Sequence, residues 1–125
     1  MSYYSDVAVR IEVSEGYDVN KVIEDFKENF NNEYEVFDLE RCLEISSDNQ
    51  VVTFWVYGIK WHDWFDEVKA LFKWFAKQEE QIELCLGDIK GIQFVRIGER
   101  LDDNEDIVYG NLNEYIHISR SFEWE

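Results

Sequence analysis

Apolar and polar residues alternate at the start of the chain. Valine or isoleucine occupies every second position from Val7 onward, so residues 6–13 are predicted to form a strand with one buried face. The period changes after Gly16. Asp18 is suited to cap a helix, and apolar residues then recur at helical spacing to about residue 31. The pair Asn31-Asn32 predicts the end of that helix.

Two further strands are predicted in the middle of the chain. Residues 33–45 alternate again, with Arg41 on the apolar face, which indicates an edge strand or a bulge. Residues 51–59 are apolar on both faces. That pattern is typical of a strand that is covered on both sides and therefore lies in the centre of its sheet.

The next stretch predicts a second amphipathic helix, with Asp63 as its candidate cap and an end near residue 78. Its predicted buried stripe comprises Trp61, Phe65, Val68, Phe72 and Phe75, widened by Trp64 and Leu71. After it we predict a fourth strand over residues 82–86, a turn leading to residues 93–97, an acidic loop over residues 101–106 and a last strand over residues 115–124.

Together these elements predict a single α+β domain over residues 1–125. The order β-α-β-β-α-β with a C-terminal β extension is that of a ferredoxin-like sandwich, in which two helices cover one face of an antiparallel sheet. The other face is then expected to be covered by the C-terminal extension, or to be an aromatic contact surface.

The charge of the chain indicates which kind of partner it would bind. The chain has 28 Asp and Glu against 12 Lys and Arg, a formal net charge of −16 on 125 residues. At 46% hydrophobic and 17% aromatic residues it is not a disordered acidic tail. A folded body with this field attracts cationic partners and repels nucleic acid and anionic lipid. The alternative is that the acidity serves solubility alone, although a net charge of ~2–8 already suffices for a small domain.

Compartment and redox state follow from simpler features. No apolar run approaches the length of a membrane span and no signal peptide is recognisable, so a soluble cytoplasmic protein is predicted. Cys42 and Cys85 lie in apolar stretches without metal-ligand spacing, which predicts buried structural thiols.

Signatures of catalysis are weak. His62 stands beside Asp63, but the second histidine of a helical zinc motif is missing, and helix capping explains the neighbouring acids. Glycine-rich phosphate loops are absent, and the acidic loop lacks the spacing of a calcium site. We therefore predict a non-enzymatic protein without a metal site or cofactor.

The acids themselves are the candidate partner-binding residues. On the predicted second strand, Glu33 and Glu35 share one face, and Asp38 and Glu40 share the other with Glu44. Such carboxylates would repeat every ~6.6 Å, a spacing that a groove built for a phosphate backbone can accept. A solvated outer sheet face is the alternative. The acidic loop adds candidates that lack lysine neighbours: Asp102, Asp103, Glu105 and Asp106.

Part of the chain resembles a known group of phage proteins. The segment Lys60-Trp61-His62-Asp63-Trp64-Phe65-Asp66-Glu67, then Ile97-Gly98-Glu99 with Leu101-Asp102-Asp103, then Tyr109-Gly110, is similar to small phage and prophage proteins of the Api92/YubB type. The resemblance implies a ferredoxin-like domain and a phage accessory role, and it carries no catalytic residues.

The resulting hypothesis is an acidic inhibitor that binds a basic, nucleic-acid-handling surface of a host defence or nuclease complex, in the manner of a DNA mimic or anti-CRISPR protein. Its partner would be a basic protein or nucleoprotein complex, with no direct contact to nucleic acid or membrane. Two alternatives remain: an immunity protein or antitoxin against a cationic nuclease toxin, and a non-catalytic ferredoxin-like regulatory module that forms a homodimer through its open sheet face.

Overall fold

The computed structural model describes residues 4–100 and 103–116. Its strands are β1 (Tyr4–Val13), β2 (Leu43–Ile45), β3 (Val51–Lys60), β4 (Ile89–Gly98) and β5 (Asn104–Gly110). Its helices are α1 (Val19–Phe26), α2 (Asn32–Tyr34) and α3 (Asp66–Glu83). A π-helical turn, Lys27–Asn31, joins α1 to α2 without a break, and we term this continuous segment, residues 19–34, the first helical arm.

The strands form one antiparallel sheet in the order β2-β3-β1-β4-β5. β1 lies in the centre, and β3 lies between β1 and the short edge strand β2. The predicted α+β class is therefore confirmed, and the arrangement is consistent with a ferredoxin-like class.

Aromatic side chains fill the space between the sheet and the helices. Val9 in β1 lies opposite Phe54 of β3 and Phe94 of β4, and all three are buried. The ring of Phe26 on α1 packs 4.8 Å from that of Phe54, and the ring of Phe75 on α3 packs 5.6 Å from that of Phe94. Both helices therefore cover the same sheet face, where each fully buried ring contributes roughly 1.5–3 kcal/mol.

The first helical arm begins as predicted and ends later. The carboxylate of Asp18 accepts a hydrogen bond from the backbone N–H of Asn20 at 2.8 Å, which confirms the cap. The predicted end of the helix at Asn31-Asn32 is wrong, because the Asn31 side chain binds the backbone of a later residue and does not interrupt the helix. Its amide donates to the carbonyl of Phe37 at 2.9 Å and its oxygen accepts from the N–H of Phe37 at 3.0 Å, which fastens the following loop to the arm.

The predicted second strand over residues 33–45 is wrong except for its last three residues. Glu33 still belongs to the first helical arm, and only Leu43–Ile45 pairs with β3. Asp38 explains part of the difference, because its carboxylate accepts the backbone N–H groups of the residues two and three positions later. Residues in that turn cannot form the backbone hydrogen-bond ladder of a strand. The apolar residue that suggested the strand phase, Phe37, is buried from a loop instead.

The second helix is displaced along the chain. It begins at Asp66, with Phe65 at the cap position, so Asp63 is not its N-cap. It extends to Glu83 because the helical apolar period continues through Ile82, which packs against the core. The predicted fourth strand over residues 82–86 is therefore wrong. The buried stripe also differs from the prediction: Trp74 belongs to it, whereas Trp64 is exposed and Phe65 and Phe72 are only partly buried.

Strand β5 replaces much of the predicted acidic loop. Residues from Asn104 onward pair with β4, so the prediction of a loop over residues 101–106 is wrong from that position. Residues 101 and 102 lie outside the described residues, as does the predicted last strand from residue 117 on. Tyr115 and Ile116 are not in a strand.

Residues 111–116 cross the sheet face opposite the helices. The carboxylate of Glu12, only 2% exposed, accepts the backbone N–H groups of Asn113 at 2.9 Å and Glu114 at 3.2 Å. The Gln93 side chain exchanges two hydrogen bonds with the backbone of Ile116, at 2.6 and 2.9 Å. One of the two predicted states of this face, coverage by the C-terminal part of the chain, therefore holds over β1 and β4. On β3, Tyr57 stays 70% exposed.

The cysteines are both free thiols. Cys42 is half-buried, whereas Cys85 is exposed, so the prediction of a buried thiol is wrong for Cys85. It stands just beyond the end of α3 and has a positive φ of 55°. Among the helices of the described residues, none has both the length and the apolar character needed to cross a membrane.

Candidate partner-binding site

The acids predicted to bind a partner occupy two regions of the molecule. Asp103, Glu105 and Asp106 lie at the start of β5. The other four lie at the end of the first helical arm and in the loop that follows it: Glu33, Glu35, Asp38 and Glu40. Asp102 lies outside the described residues. The two regions differ in how much positive charge meets the acids.

Arg96 pairs with two of the three described acids of the first region. It projects from β4, is 6% exposed, and its guanidinium donates to the two carboxylate oxygens of Asp103 at 2.8 and 3.2 Å. The same group reaches Glu105 through Nε at 3.0 Å and Nη2 at 2.8 Å, and Ser5 through Nη1 at 3.0 Å. A planar guanidinium with five donors is suited to bind two carboxylates at once.

The pKa of the Arg96 guanidinium reflects these contacts. Burial by itself lowers the pKa of its guanidinium, but the hydrogen bonds to Asp103 and Glu105 outweigh burial, so the pKa lies above its ordinary value. The guanidinium carbon also lies 5.9 Å from the ring centre of Trp61, within range of a cation–π contact. The cation is therefore held in a well-satisfied internal site.

The loop acids were predicted to lack lysine neighbours, and that prediction did not foresee that Asp103 and Glu105 pair with an arginine. The physical reason is strand pairing, because β5 places Glu105 directly opposite Arg96. Asp106 points to the other sheet face, is exposed, and accepts a hydrogen bond from Gln93 at 2.9 Å. A partner-binding role for these residues stays a prediction, and Asp106 is the most accessible of the three.

The second region has a different geometry from the one predicted. Glu33 lies in α2, Glu35 ends the first helical arm in the left-handed conformation with φ 50°, and Glu40 lies in an exposed turn. Asp38 caps that turn and makes an exposed ion pair with Arg41 at 4.0 Å. A regular carboxylate ladder is therefore wrong, because none of the four belongs to a strand. Their role in binding stays a prediction.

Two acids from the start of α3 join this region. The pKa of Tyr34 is raised, first by burial and then by the negative charges of Glu33, Asp66 and Glu67. We term Glu33, Glu35, Asp66 and Glu67 the helix-end acids. None of them forms an ion pair with another residue in the described part of the chain.

A pocket of about 250 Å³ lies beside the helix-end acids, between the first helical arm and α3. Glu35, Lys60 and Glu67 contribute its charged lining. The remaining lining is apolar or aromatic: Phe30, Tyr34, Val36, Ile59, Trp61, Val68 and Leu71. We term this space the helix-end pocket.

Trp61 lines the helix-end pocket although it is itself almost fully buried. The residue is 5% exposed, and its indole Nε1–H is buried with no acceptor among residues 4–100 and 103–116, which is unusual for a tryptophan. Sequence reasoning assigned Trp61 to the core alone. It does pack on Phe94, with ring centres 5.7 Å apart, but it also belongs to this pocket.

An exposed aromatic pair lies next to the same acids along the chain. Trp64 is 66% exposed, and its ring stacks on that of His62 at 4.3 Å. Sequence reasoning placed Trp64 in the buried stripe, and it left Asp66 and Glu67 to helix capping. The missed signal was the direct adjacency of Trp64-Phe65 to Asp66-Glu67, since exposed aromatics beside charges are typical of interface anchors.

Comparisons leave the chain without a relative to argue from. No protein-family model matches it, and neither the curated proteins nor the solved structures contain a significant match. Within residues 4–100 and 103–116, no group of three or more His, Cys, Asp or Glu side chains is placed to hold a metal ion.

Proposed function

We propose that this protein is an acidic, non-enzymatic inhibitor that binds a basic, nucleic-acid-handling surface of a host defence or nuclease complex in the host cytoplasm. The supporting observation is the set of helix-end acids, four carboxylates on a −16 chain with no basic partner among the described residues. The proposal includes a ferredoxin-like topology and a phage-type origin.

Charge of this kind acts mainly on the rate of encounter. A one-signed field attracts an oppositely charged partner over about a Debye length, roughly 8 Å at physiological ionic strength. The backbone of these acids is fixed at the ends of packed helices, so only their side chains must be ordered on binding. Trp64, exposed beside these acids, supplies a large side chain of the type that anchors interfaces.

A surface built to hold phosphates is the partner that such acids fit best. Lysine and arginine side chains that bind a nucleic-acid backbone accept carboxylates by the same charge-assisted hydrogen bonds. The inhibitor would then occupy the place of the nucleic acid without binding nucleic acid itself. An immunity protein against a nuclease toxin would use the same surface, so the identity of the partner separates these two functions.

The experiment is an inhibition assay on a panel of purified nucleic-acid-cleaving enzymes that comprises RNA-guided nucleases, restriction endonucleases and nuclease toxins. We expect inhibition of at least one enzyme that is competitive with its DNA or RNA substrate and weakens as NaCl rises from 50 to 500 mM, values chosen to span the screening range. Inhibition confined to a nuclease toxin would favour the immunity protein.

A matched pair of variants connects the assay to the site. Glu33→Gln with Asp66→Asn should slow association with the inhibited enzyme, whereas Glu15→Gln with Glu80→Gln removes the same charge from exposed positions elsewhere. Equal effects of the two pairs would reduce the role of the acids to net charge. The proposal would be contradicted if no enzyme of the panel were inhibited, or if the inhibition did not depend on substrate concentration.

A further inference from the structure

A second pocket lies at the other end of the helix pair, and we term it the polar pocket. It has a volume of about 210 Å³ and lies between α1, the C-terminal part of α3 and the start of β4. That volume is below the range of roughly 300–1,000 Å³ that drug-sized ligands occupy, so the expected occupant is a small solute. Six of its lining residues carry a charge or an amide: Lys21, Asp25, Lys77, Gln78, Gln81 and Asp88.

Gln78 has the most unusual surroundings of these residues. It is only 6% exposed, and its side-chain amide makes no hydrogen bond within residues 4–100 and 103–116. The amide still reaches solvent, because the indole nitrogen of Trp61 is the only side-chain nitrogen or oxygen in these ranges that is both sealed and unpartnered. Buried amides normally have partners. The donors and the acceptor of Gln78 are therefore open to the polar pocket that it lines.

Charges of both signs line the polar pocket without pairing across it. Lys21 and Lys77 form no ion pair with any acid in the described part of the chain. The same holds for the two acids of the lining, Asp25 and Asp88. Asp25 is held in place, because the indole N–H of Trp74 donates to its carboxylate at 3.1 Å. Each of the four charges can therefore take its counter-charge from a ligand.

A ligand that carries both charges fits this lining best. A simple anion would be attracted by the two lysines and repelled by the two acids, and a simple cation would meet the reverse. A free α-amino acid carries a carboxylate and an ammonium on the same carbon atom. It can pair with a lysine and an acid at once, through charge-assisted hydrogen bonds.

We propose that the polar pocket binds a small free α-amino acid with a polar side chain, such as serine. Its carboxylate pairs with Lys21 and Lys77, and its ammonium pairs with Asp88. Because both lysines are exposed and Gln78 is buried, the charged end lies at the mouth and the side chain bonds to the Gln78 amide. This inference goes beyond the proposed function and does not depend on it.

The test is an NMR titration of the ¹⁵N-labelled protein with L-serine. It follows the side-chain amide signals of Gln78 and the indole N–H of Trp74, which is bonded to Asp25. We expect a saturable shift that is half complete below about 10 mM. Ethanolamine is serine without the carboxylate, and β-hydroxypropionate is serine without the ammonium. Each should bind at least about tenfold more weakly, since it loses one of the two charge pairs.

Variants locate the effect. Lys77→Gln should weaken serine binding about two- to fivefold, whereas Lys73→Gln, an exposed position on the same helix outside the lining, should leave it unchanged. Gln78→Leu should remove binding without lowering the melting temperature, since it breaks no hydrogen bond within the described residues. The lysine variants test the site even if Gln78→Leu is unstable, because both lysines are exposed.

Four results would overturn the inference. They are unmoved Gln78 signals, equal binding of serine and either of its two analogues, equal effects of Lys77→Gln and Lys73→Gln, and unchanged serine binding in a folded Gln78→Leu variant. Inorganic phosphate is the remaining control. If it displaced serine and bound more tightly, the lysines would form a site for anions alone and the amino-acid assignment would be wrong.

Discussion

Two groups of acidic residues in this protein have opposite surroundings: one is paired with a cation, and the other is not. Asp103 and Glu105 share a nearly buried guanidinium, at distances of 2.8–3.2 Å from Arg96. The helix-end acids have no such partner among the described residues, and they border a pocket. Acids of the first kind contribute to the fold through their ion pairs, whereas acids of the second kind are the ones proposed to meet another molecule.

The difference shows why a charge count alone cannot assign a binding surface. Paired acids add less to the external field than unpaired ones, because Arg96 cancels one of the two negative charges of Asp103 and Glu105 at close range. Unpaired acids at the ends of two packed helices repel one another, which costs stability in the free protein and is relieved when a cation binds. Stability measurements therefore separate the two groups.

The largest effect is expected from removing the negative charge around Arg96. Asp103→Asn with Glu105→Gln leaves a buried guanidinium without a counter-charge, and we expect a loss of about 3 kcal/mol of unfolding free energy, since both acids are partly exposed. Glu33→Gln with Glu67→Gln removes the same charge and should change stability by no more than about 0.5 kcal/mol. Urea unfolding measures the loss of unfolding free energy in both variants, and the comparison holds when their m-values are equal. Equal losses would erase the distinction between the two groups.

A smaller effect is expected at Glu12, a third satisfied acid. Its carboxylate accepts two backbone N–H groups from residues 111–116 and lies 3.5 Å from Arg10. Glu12→Gln should cost about 1–2 kcal/mol, because an amide replaces a charged acceptor for two donors. Hydrogen exchange at Asn113 and Glu114 should accelerate in this variant and stay unchanged in Glu15→Gln, an exposed acid nearby in the chain. Unchanged exchange in Glu12→Gln would show that the segment is held by other contacts.

The smallest effect concerns two tyrosines. The pKa values of Tyr34 and Tyr109 are raised above the ordinary value of 10.0, in both cases first by burial and then by nearby carboxylates. Each phenol therefore favours its protonated form in the folded protein. The stability it contributes is fully present below about pH 10 and is lost as the pH rises through its folded pKa.

An absorbance titration near 295 nm reads these phenols directly. In Glu33→Gln with Glu67→Gln, the pKa of Tyr34 should fall toward 10.0, because two of its three charged neighbours are gone. That of Tyr109, which responds to Glu79 and Glu105, should stay where it is. A Tyr34 pKa unaffected by the variant would mean that the helix-end acids do not act on the phenol.

Local periodicity predicted the elements that bury one clear face. The β1 alternation, the Asp18 cap and the apolar strand β3 were all readable, because each depends on neighbours in sequence. The predicted strand over residues 33–45 failed because a helix and a capped turn use the same alternating residues. Strand β5 was missed because its face toward the core carries Glu105, whose burial depends on a distant arginine.

The candidate site was harder to predict for the same reason. Glu33 and Glu35 were named, but on a strand, and their association with Glu67 depends on how the first helical arm meets α3. Likewise, nothing local distinguishes Trp61 from a core tryptophan. Its unmet hydrogen bond exists only once the surrounding walls are in place.

The π-helical turn at Lys27–Asn31 has a consequence for how this surface can change. A π-turn contains one residue more than an α-turn, and one residue of an α-helix corresponds to about 100° of rotation. Chain length within this turn thus sets the direction in which Tyr34 and Glu35 point. Deleting a single residue there would keep every acid in the composition and turn these two away from the pocket. The proposed binding surface thus depends on the angular phase of a helix as much as on the identity of its residues.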